Sequence, residues 1–387
     1  MENEEKRLKI LEVLDCYYPK FDGPCLVVAS YARCLNELGA SAKVAVPHFP
    51  DYVDNAPFEI LRINSIPSAD GYRCAVPETD KKLKEFLREN DFDLIHIHSP
   101  FTLCRFFTRY GKKHGIPTVF TFHTKYKEDF ERTLKSKLAQ KFMMRYILKN
   151  MNLADYCWTV SDGAIETMRE YGYKKPVKVI RNGTDLTYPE NADEVKGMLN
   201  GKYDIPDDCA VFLSVGRIVE NKKLQLAMNA LCEVKKRGYK FRYLVVGSGE
   251  FEPALKILVE DLGLTQEVIF TGKVMDRTLL SAHYLNADLF LFPSTFDTAS
   301  LSPIEAAAMK LPTLMTRGCS TAEIITDGVN GYLADESSDA WADAIVDIIK
   351  DKTKLAAVRE NAYAQVYRSW KSVAEEVLEN YKLIVKK

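Results

Sequence analysis

The sequence predicts an α/β protein with two Rossmann-like domains, each built on a parallel sheet. Short apolar runs rich in β-branched residues alternate with longer helical stretches along most of the 387 residues. These runs are apolar at nearly every position, which is typical of strands buried on both faces of a parallel sheet. The chain is also too long for one ordinary core, so two domains of roughly 170–200 residues are expected.

The apolar runs are the predicted strands. In the first half they are 10–14, 42–46, 94–98, 118–122, 156–160 and 177–180. In the second half they are 210–215, 242–246, 268–271, 289–292 and 313–315. Helices between consecutive strands give right-handed βαβ units, so two open parallel sheets follow.

The domain boundary is placed where the composition changes. Residues 184–208 are rich in Asp, Asn, Gly and Pro and are the poorest stretch for strand–helix units, so they are the predicted linker. We therefore expect an N-terminal domain at 1–190 and a C-terminal domain at 191–370. A last helix at 371–387 carries apolar residues at helical spacing, which are Val373, Val377, Tyr381 and Ile384.

The composition excludes several classes of protein. A net charge of −1 gives no reason to expect a nucleic acid as partner. No window approaches about eighteen consecutive apolar residues, so no membrane span is expected. The N-terminal segment lacks the apolar region of a signal peptide, and nine cysteines without a C-x-x-C pair fit reduced thiols. The predicted location is the cytoplasm.

Two cations follow the first predicted strand of the second half. Gly216 and Arg217 come directly after that strand, and Lys222 lies five residues beyond Arg217. Ligands gather at the carboxyl ends of parallel strands, and the planar fork of Arg with the point charge of Lys suits a diphosphate. Two solvated surface charges are the alternative. Gly247 and Gly249 follow the next strand, where they allow either a ligand close to the backbone or a tight turn.

The loop after the predicted strand at 289–292 is bracketed by two carboxylates. Asp297 and Glu305 have seven residues between them. Within the loop, Ser302 and Pro303 resemble an N-cap followed by proline at the first helical position. That helix start would offer N–H groups and a partial positive charge to an anion. The carboxylates would accept hydrogen bonds from sugar hydroxyls, although a turn residue and an ordinary first-turn helix charge are the alternatives.

Five segments occur in the order and register seen in family 4 glycosyltransferases. They are 216–222, 247–249, 268–272, 287–294 and 327–331. Members of that family are retaining enzymes with two facing Rossmann-like domains, the GT-B fold. The resemblance implies an acceptor-side N-terminal domain, a nucleotide-sugar-binding C-terminal domain and a last helix that returns to the N-terminal domain. It also implies transfer of a hexose from a nucleotide-diphosphate sugar, such as a UDP-sugar, to a glycan or lipid hydroxyl.

The family's site residues are carried over where positions match. Arg217 and Lys222 would neutralise the donor diphosphate, because they match the family's cation pair. Asp297 and Glu305 resemble its E-x7-E element, so Glu305 would hold the ribose hydroxyls and Asp297 would lie near the transferred sugar. The other implied donor contacts are the glycines Gly23, Gly216, Gly247 and Gly249, the base-lining Lys273 and Val274, and the loop residues Ala299, Ser300, Leu301 and Ser302.

A histidine completes the implied catalytic set. His123 follows the predicted strand at 118–122 and resembles the family's histidine beside the donor sugar. Without the resemblance, a lone histidine at a strand end is more often structural. With it, His123 joins Arg217, Lys222 and Asp297 as an expected catalytic residue.

No metal and no cofactor are expected. His96 and His98 lie on one face of a predicted strand, but a metal needs further ligands and the sequence offers none, so core packing is the interpretation. The family resembled here needs no metal, because an arginine, a lysine and a helix start provide the positive charge. The nucleotide-sugar is a substrate.

Three departures from the family pattern lie at the sugar end of the implied donor site. Asp297 is one methylene shorter than the usual Glu, and Ala299-Ser300 stands where Phe-Gly is commoner. The family's glycine pair is reduced to Asp22-Gly23. The diphosphate and ribose positions match the family pattern, so the pattern assigns the transfer but not the sugar.

A predicted helix at 131–149 carries an apolar row beside a cationic row. The apolar row is Leu134, Leu138, Phe142 and Tyr146, and the cationic row is Lys137, Lys141, Arg145 and Lys149. A neighbouring helix adds Arg105, Arg109, Lys112 and Lys113. Such a surface can lie on an anionic membrane, which would favour a lipid acceptor at the cytosolic face. A core-facing stripe beside a solvated face is the alternative.

Other functions remain compatible with the sequence. A phosphorylase or a nucleotide-sugar epimerase could use the same two-domain architecture. A catalytically silent homologue that binds a partner glycosyltransferase or a glycan would explain the altered sugar-side residues. Release of nucleotide together with a new glycoside separates the transferase from all three.

Overall fold

The chain forms two compact units. The computed structural model describes residues 7–20, 23–68, 71–199, 201–206 and 208–386. The first unit is Met1–Asn182 with Trp370–Lys387, and the second is Gly183–Ser369. The first boundary thus lies at Asn182 rather than at residue 190. The predicted linker at 184–208 is wrong, because its apolar residues are buried in the core of the second unit, namely Leu186, Val195 and Leu199.

The first unit contains a seven-stranded parallel sheet. The strands of this unit, seven in the sheet and two outside it, are β1 (Lys9–Val13), β2 (Ser41–Pro47), β3 (Ile60–Ile63), β4 (Ser65–Pro67), β5 (Arg73–Ala75), β6 (Leu94–Ile97), β7 (Thr118–Phe122), β8 (Tyr156–Thr159) and β9 (Lys178–Val179). The sheet order is β3-β2-β1-β6-β7-β8-β9, and β4 and β5 form a separate antiparallel pair. The order reverses direction between β1 and β6, so the loops after these two strands diverge.

Helices cover the faces of this sheet. They are α1 (Gly23–Glu37), α2 (Lys81–Glu89), α3 (Thr102–His114), α4 (Tyr126–Thr133), α5 (Lys137–Met151) and α6 (Asp162–Glu170). The single helix predicted at 131–149 is wrong at its start. The chain leaves α4 at Thr133, and α5 begins anew because the Ser136 hydroxyl accepts a hydrogen bond from the Ala139 N–H (3.4 Å).

The second unit contains a six-stranded parallel sheet. Its strands are β10 (Ala210–Val215), β11 (Phe241–Val246), β12 (Val268–Gly272), β13 (Leu289–Phe292), β14 (Thr313–Thr316) and β15 (Tyr332–Ala334). Its helices are α7 (Ala192–Gly197), α8 (Leu224–Lys236), α9 (Glu252–Asp261), α10 (Arg277–Leu285), α11 (Ser302–Ala308), α12 (Ser338–Lys350) and α13 (Lys352–Gln365). The order β12-β11-β10-β13-β14-β15 is that of a Rossmann fold, with the reversal between β10 and β13.

The last helix belongs to the first unit. This helix, α14 (Trp370–Val385), packs on α1, and its apolar row is buried, as the helical spacing predicted. Burial of each such side chain contributes about 1.5–3 kcal/mol. The return of this helix to the N-terminal domain is confirmed. Among the described residues, no helix is long and apolar enough to cross a bilayer.

Candidate functional site

The candidate donor site lies in the second unit, where the strand order reverses between β10 and β13. A small pocket at this point is lined by residues of both loops, including Gly216, Arg217, Lys222, Pro293 and Ser294. Loops that leave such a reversal point part from each other and leave room for a ligand above the strand ends. The structure therefore brings the predicted cation pair to the place where a Rossmann fold binds its ligand.

An ion pair joins the two predicted halves of this site. Lys222 Nζ donates to Asp297 Oδ1 at 2.6 Å, and the two side chains are only 19% and 17% exposed. Burial raises the pKa of Asp297, but the Lys222 ammonium, the Ser294 hydroxyl and the Arg217 guanidinium together outweigh burial and hold that pKa below its usual value. Asp297 is therefore a carboxylate at neutral pH. The sequence did not predict that it neutralises one of the two cations.

Hydrogen-bonding capacity remains unused around this ion pair. Asp297 Oδ2 is buried and accepts no hydrogen bond within the described structure. An ammonium has three hydrogens, of which the pair uses one. Arg217 is exposed, and its guanidinium makes no hydrogen bond to any described residue. Two cations and one carboxylate leave a net positive charge, so the site can take an anion and also a hydroxyl donor.

The helix start after this loop differs in detail from the prediction. Helix α11 begins at Ser302, and Leu301 occupies the capping position without a side-chain cap. Ser302 is therefore a helical residue, and its hydroxyl instead lies 3.3 Å from that of Ser300. Pro303 is the second helical residue, one position later in the helix than predicted, and still lies in the first turn. Ala299 and Ser300 are half-buried in the loop before the helix.

Glu305 accepts hydrogen bonds from two residues that the sequence analysis missed. Arg277 Nη2 donates to Glu305 Oε1 at 3.0 Å, and the Tyr284 hydroxyl donates to Oε2 at 2.9 Å. Arg277 also pairs with Asp185. Each carboxylate oxygen still has a free lone pair for a ligand hydroxyl. The position of Arg277 near the end of β12 was a usable signal, whereas Tyr284 gave none.

The glycines after β11 serve backbone packing. A Cβ at Gly247 would lie 1.8 Å from the Gly216 carbonyl oxygen, and one at Gly249 would lie 2.2 Å from that of Ile218. Two hydrogen bonds join the same loops, from Gly216 N–H to Val246 (3.0 Å) and from Ile218 N–H to Ser248 (3.0 Å). The structure thus accounts for both glycines by the close approach of the two loops. These glycines support the loop that carries Arg217.

Replacement of Gly249 by alanine is expected to displace that loop. The new methyl group meets backbone atoms of Ile218 that cannot rotate away, so we expect a destabilisation of about 1–3 kcal/mol and weaker donor binding. Chemical unfolding and the KM for the donor measure the two effects. The control is Ser248→Ala at the exposed neighbouring position. Equal behaviour of the two variants would contradict this account.

The predicted base-lining residues lie at the end of an edge strand. Lys273 and Val274 follow β12, Lys273 is exposed, and Val274 is half-buried against the core. Both are at the same edge of the sheet as the loops after β10 and β13. The structure shows no further contact that assigns them a role.

In the first unit, His123 directly follows β7 as predicted, and it ends a chain of buried polar groups. His123 Nε2 lies 2.9 Å from His98 Nδ1, and His98 Nε2 lies 2.7 Å from Glu12 Oε2. Glu12 lies on β1, and sequence reasoning missed it because its strand reads as apolar. Gly23 is the first residue of α1, whereas Asp22 lies outside the described residues.

Glu12, His96 and His98 form the one described group with metal-ligating atoms close together, within 4.8 Å of one another. The sequence analysis found no third candidate ligand beside His96 and His98, and in the structure Glu12 is that candidate. Each ring nitrogen of His96 and His98 already has a protein partner at hydrogen-bond distance. Those of His96 are Tyr381 and Thr121, and those of His98 are His123 and Glu12. We interpret the group as a hydrogen-bond network, in which histidines of a parallel sheet core are satisfied.

Two family models match the chain, one in each unit. Residues 23–188 match the model described as glycosyltransferase family 4, and residues 198–365 match glycosyl transferases group 1. The HepE protein of Anabaena in complex with UDP has the same fold, with a TM-score of 0.74 and 18% identity over 97% of this chain and 100% of that one.

Curated relatives are similar over most of their length. The alpha-monoglucosyldiacylglycerol synthase of Streptococcus pneumoniae is 26% identical and aligns with 82% of this chain and 73% of its own. A GDP-mannose-dependent alpha-mannosyltransferase of Corynebacterium glutamicum is 24% identical over 97% of this chain and 88% of its own. Since both models and these relatives are of glycosyltransferases, this chain belongs to the family 4 type of glycosyltransferases, which use nucleotide-sugar donors.

Proposed function

We propose that this enzyme transfers a hexose, with retention, from a UDP-sugar to a hydroxyl of a glycan or lipid. The observation that carries the proposal is the cluster of Arg217, Lys222 and Asp297 at the reversal point of the second sheet. A UDP complex of a protein with the same fold supports UDP, and the glucolipid synthase among the relatives supports a hexose. Because one relative is a GDP-mannose-dependent mannosyltransferase, the experiment below also includes GDP-sugars.

Arg217 and the unused hydrogens of Lys222 would bind the donor diphosphate. The bond from the sugar's anomeric carbon to the diphosphate oxygen breaks, and negative charge grows on the leaving group. Cationic donors that are already in place stabilise that charge by roughly 3–4 kcal/mol each. Backbone N–H groups of residues 299–302 would add to this. With the cations in this role, we propose that the reaction uses no metal and no cofactor.

At the sugar end, Asp297 and His123 would bind hydroxyl groups. The unpaired Oδ2 of Asp297 would accept a hydrogen bond from a sugar hydroxyl, which relieves an unsatisfied buried acceptor. In retention, the acceptor hydroxyl attacks from the face that the diphosphate leaves. The new bond forms between its oxygen and the anomeric carbon, and its proton passes to the donor phosphate.

Glu305 would hold the ribose hydroxyls of the nucleotide. Its oxygens are oriented by Arg277 and Tyr284, so they present fixed lone pairs at the edge of the sheet. Lys273 and Val274 would line the base beyond them.

A panel of nucleotide-sugars tests the proposed function. UDP- and GDP-activated hexoses are supplied with and without membrane lipid extract, and released nucleotide and new glycoside are both measured. We expect release coupled to glycoside formation with a UDP-hexose. A product linkage with inverted anomeric configuration, seen by NMR, would overturn retention. Nucleotide release without glycoside, or epimer formation, would overturn transfer.

An exposed surface on α5 that combines apolar and cationic side chains supports a lipid acceptor. Leu138 and Phe142 are 78% and 66% exposed, so the core-facing interpretation of their row is wrong for these two residues. The buried side chains of α5 are Ile147, Asn150 and Met151. The surrounding cations are all exposed, and none forms an ion pair within the described chain; they are Arg105, Arg109, Lys112, Lys113, Lys137, Lys141, Arg145 and Lys149.

We propose that this surface binds anionic lipid at the cytosolic face of the membrane. Exposed apolar side chains gain by insertion below the headgroups, while unpaired cations attract the lipid phosphates. The name of the diacylglycerol-linked relative fits an acceptor presented there.

Replacing Leu138 and Phe142 together by serine is expected to weaken vesicle binding by about tenfold or more, because two inserted apolar groups are lost. Co-sedimentation with vesicles containing phosphatidylglycerol at low salt measures the binding. The control is Ile257→Ser, which removes an equally exposed apolar residue from α9 of the second unit. If wild type fails to bind such vesicles, the membrane proposal is wrong.

A further inference from the structure

A hydrogen-bond chain runs through the core of the first unit and ends at His123. The Tyr381 hydroxyl of α14 donates to Glu12 Oε1 at 3.0 Å, and Glu12 Oε2 lies 2.7 Å from His98 Nε2. His98 Nδ1 lies in turn 2.9 Å from His123 Nε2. All four side chains are buried. Because an unpaired polar group in such a place is costly, the chain fixes the orientation of each ring.

The direction of the hydrogen bond from Tyr381 to Glu12 determines the tautomer of His96. Tyr381 has a single hydroxyl hydrogen, which goes to Glu12, so its oxygen accepts from His96 Nδ1–H across 2.5 Å. His96 Nε2 then carries no hydrogen and accepts from the Thr121 hydroxyl at 2.6 Å. His96 is thereby held in one tautomer. The hydrogen-bonded path from Glu12 through His98 to His123 does not pass through it.

The imidazoles of His98 and His123 are neutral. Burial lowers the pKa of His98 to about 3, and burial together with neighbouring His98 lowers that of His123 well below its usual value. A neutral ring carries one hydrogen and offers one acceptor. The hydrogen between Glu12 and His98 therefore decides which nitrogen of His123 carries a hydrogen.

We propose that Glu12 and His98 are positioning residues that make His123 a hydrogen-bond donor. Glu12 in its acid form donates to His98 Nε2, His98 Nδ1–H donates to His123 Nε2, and His123 then carries its hydrogen on Nδ1. That nitrogen makes no hydrogen bond to any described residue, so it is available to an oxygen of the donor sugar. The inference rests on the proposed place of His123 beside that sugar.

The acid form of Glu12 has a physical basis. Its carboxyl group is fully buried, and no cation lies among its hydrogen-bond partners. Burial raises its pKa to about 8, although the hydrogen bond from Tyr381 lowers it. At neutral pH the group therefore holds a proton. Because Oε1 accepts from Tyr381, that proton lies on Oε2, 2.7 Å from His98 Nε2; His96 Nδ1, 3.4 Å from the same oxygen, carries a hydrogen and cannot accept it.

Two substitutions at Glu12 distinguish the effect of its hydrogen bonds from the effect of its side-chain volume. Glu12→Gln keeps a donor to His98 and an acceptor for Tyr381, so kcat should stay within about threefold of wild type. Glu12→Met fills a similar volume without either group and should lower kcat by about tenfold or more. Equal losses in both variants, or none in Glu12→Met, would overturn the proposal.

A double-mutant cycle shows whether Glu12 acts through His123. In a His123→Ala background, Glu12→Met should lower kcat no further, since the group it positions is gone. Losses that multiply would indicate a purely structural effect and overturn the proposal. A His123→Ala variant with unchanged kcat would instead contradict the proposed function of His123.

A direct measurement of the tautomer of His123 does not depend on activity. Nitrogen-15 NMR of wild-type enzyme labelled at its six histidines reports which ring nitrogen carries hydrogen. The His123 signals are those that vanish in His123→Ala. A hydrogen on Nδ1 in wild type and in Glu12→Gln is the expected result. A hydrogen on Nε2 would overturn the inference, whatever the activity measurements show.

Discussion

Replacement of Lys222 by alanine is expected to lower kcat by about 10²–10³-fold with any donor that the enzyme accepts. The substitution removes one of two cations that would stabilise the leaving diphosphate. It also leaves the half-buried Asp297 carboxylate without its ion-pair partner at 2.6 Å. The remaining local charge then changes from net positive to neutral, so the site loses much of its preference for an anion. Steady-state kinetics of nucleotide release measures the effect.

Two further variants decide whether the loss comes from the diphosphate or from the ion pair. Asp297→Asn breaks the ion pair but leaves both cations, so it should reduce kcat less than Lys222→Ala and affect the sugar end. Lys223→Ala is the matched control, because that neighbouring lysine pairs with Glu336 and has no predicted role. If Lys223→Ala is as damaging as Lys222→Ala, the effect is one of loop structure and the assigned role is wrong.

The strands were predictable because burial on both faces leaves a clear apolar run. The runs at 118–122, 210–215 and 289–292 coincide with β7, β10 and β13. Some segments that escaped prediction lie at a sheet margin, where burial is partial. In β3, for example, Arg62 interrupts the apolar run and only Ile63 is fully buried.

The candidate site was predictable in its positions but incomplete in its pairings. Arg217, Lys222 and Asp297 could be located from strand ends and a family pattern. Their ion pair could not, because 75 residues separate Lys222 from Asp297 and nothing local signals the contact. Glu12 was hidden for a similar reason. A charged residue inside an apolar strand gives no sign of partners on β6 and α14.

The α5 surface shows a different limit of sequence patterns. Spacing at i and i+4 tells which side chains share a face of a helix, but not whether that face meets a core. The row, for which a core-facing stripe was one of two interpretations, is exposed at Leu138 and Phe142. Helix α5 is oriented instead by its C-terminal turn, where the Asn150 amide donates to the Pro100 carbonyl at 2.8 Å.

Replacement of Glu305 by glutamine is expected to raise the KM for the donor by about 10- to 100-fold and to leave kcat nearly unchanged. The ribose hydroxyls do not take part in bond making, so their hydrogen bonds act equally on bound substrate and transition state. The substitution keeps the shape of the side chain and removes its charge. Glu305 is only 9% exposed in its pair with Arg277, so some loss of stability will accompany the change.

Tyr284→Phe separates ligand binding from that structural effect. It removes the hydroxyl that donates to Glu305 Oε2 at 2.9 Å but leaves the carboxylate and Arg277 in place. If Glu305 binds the ribose, Tyr284→Phe should change the donor KM far less than Glu305→Gln, even where both lower the unfolding free energy. Equal changes in KM would mean that Glu305 serves only to hold α10 and α11 together. Because Arg277 remains paired with Asp185 in either variant, its own charge stays compensated, and the comparison reports on the carboxylate alone.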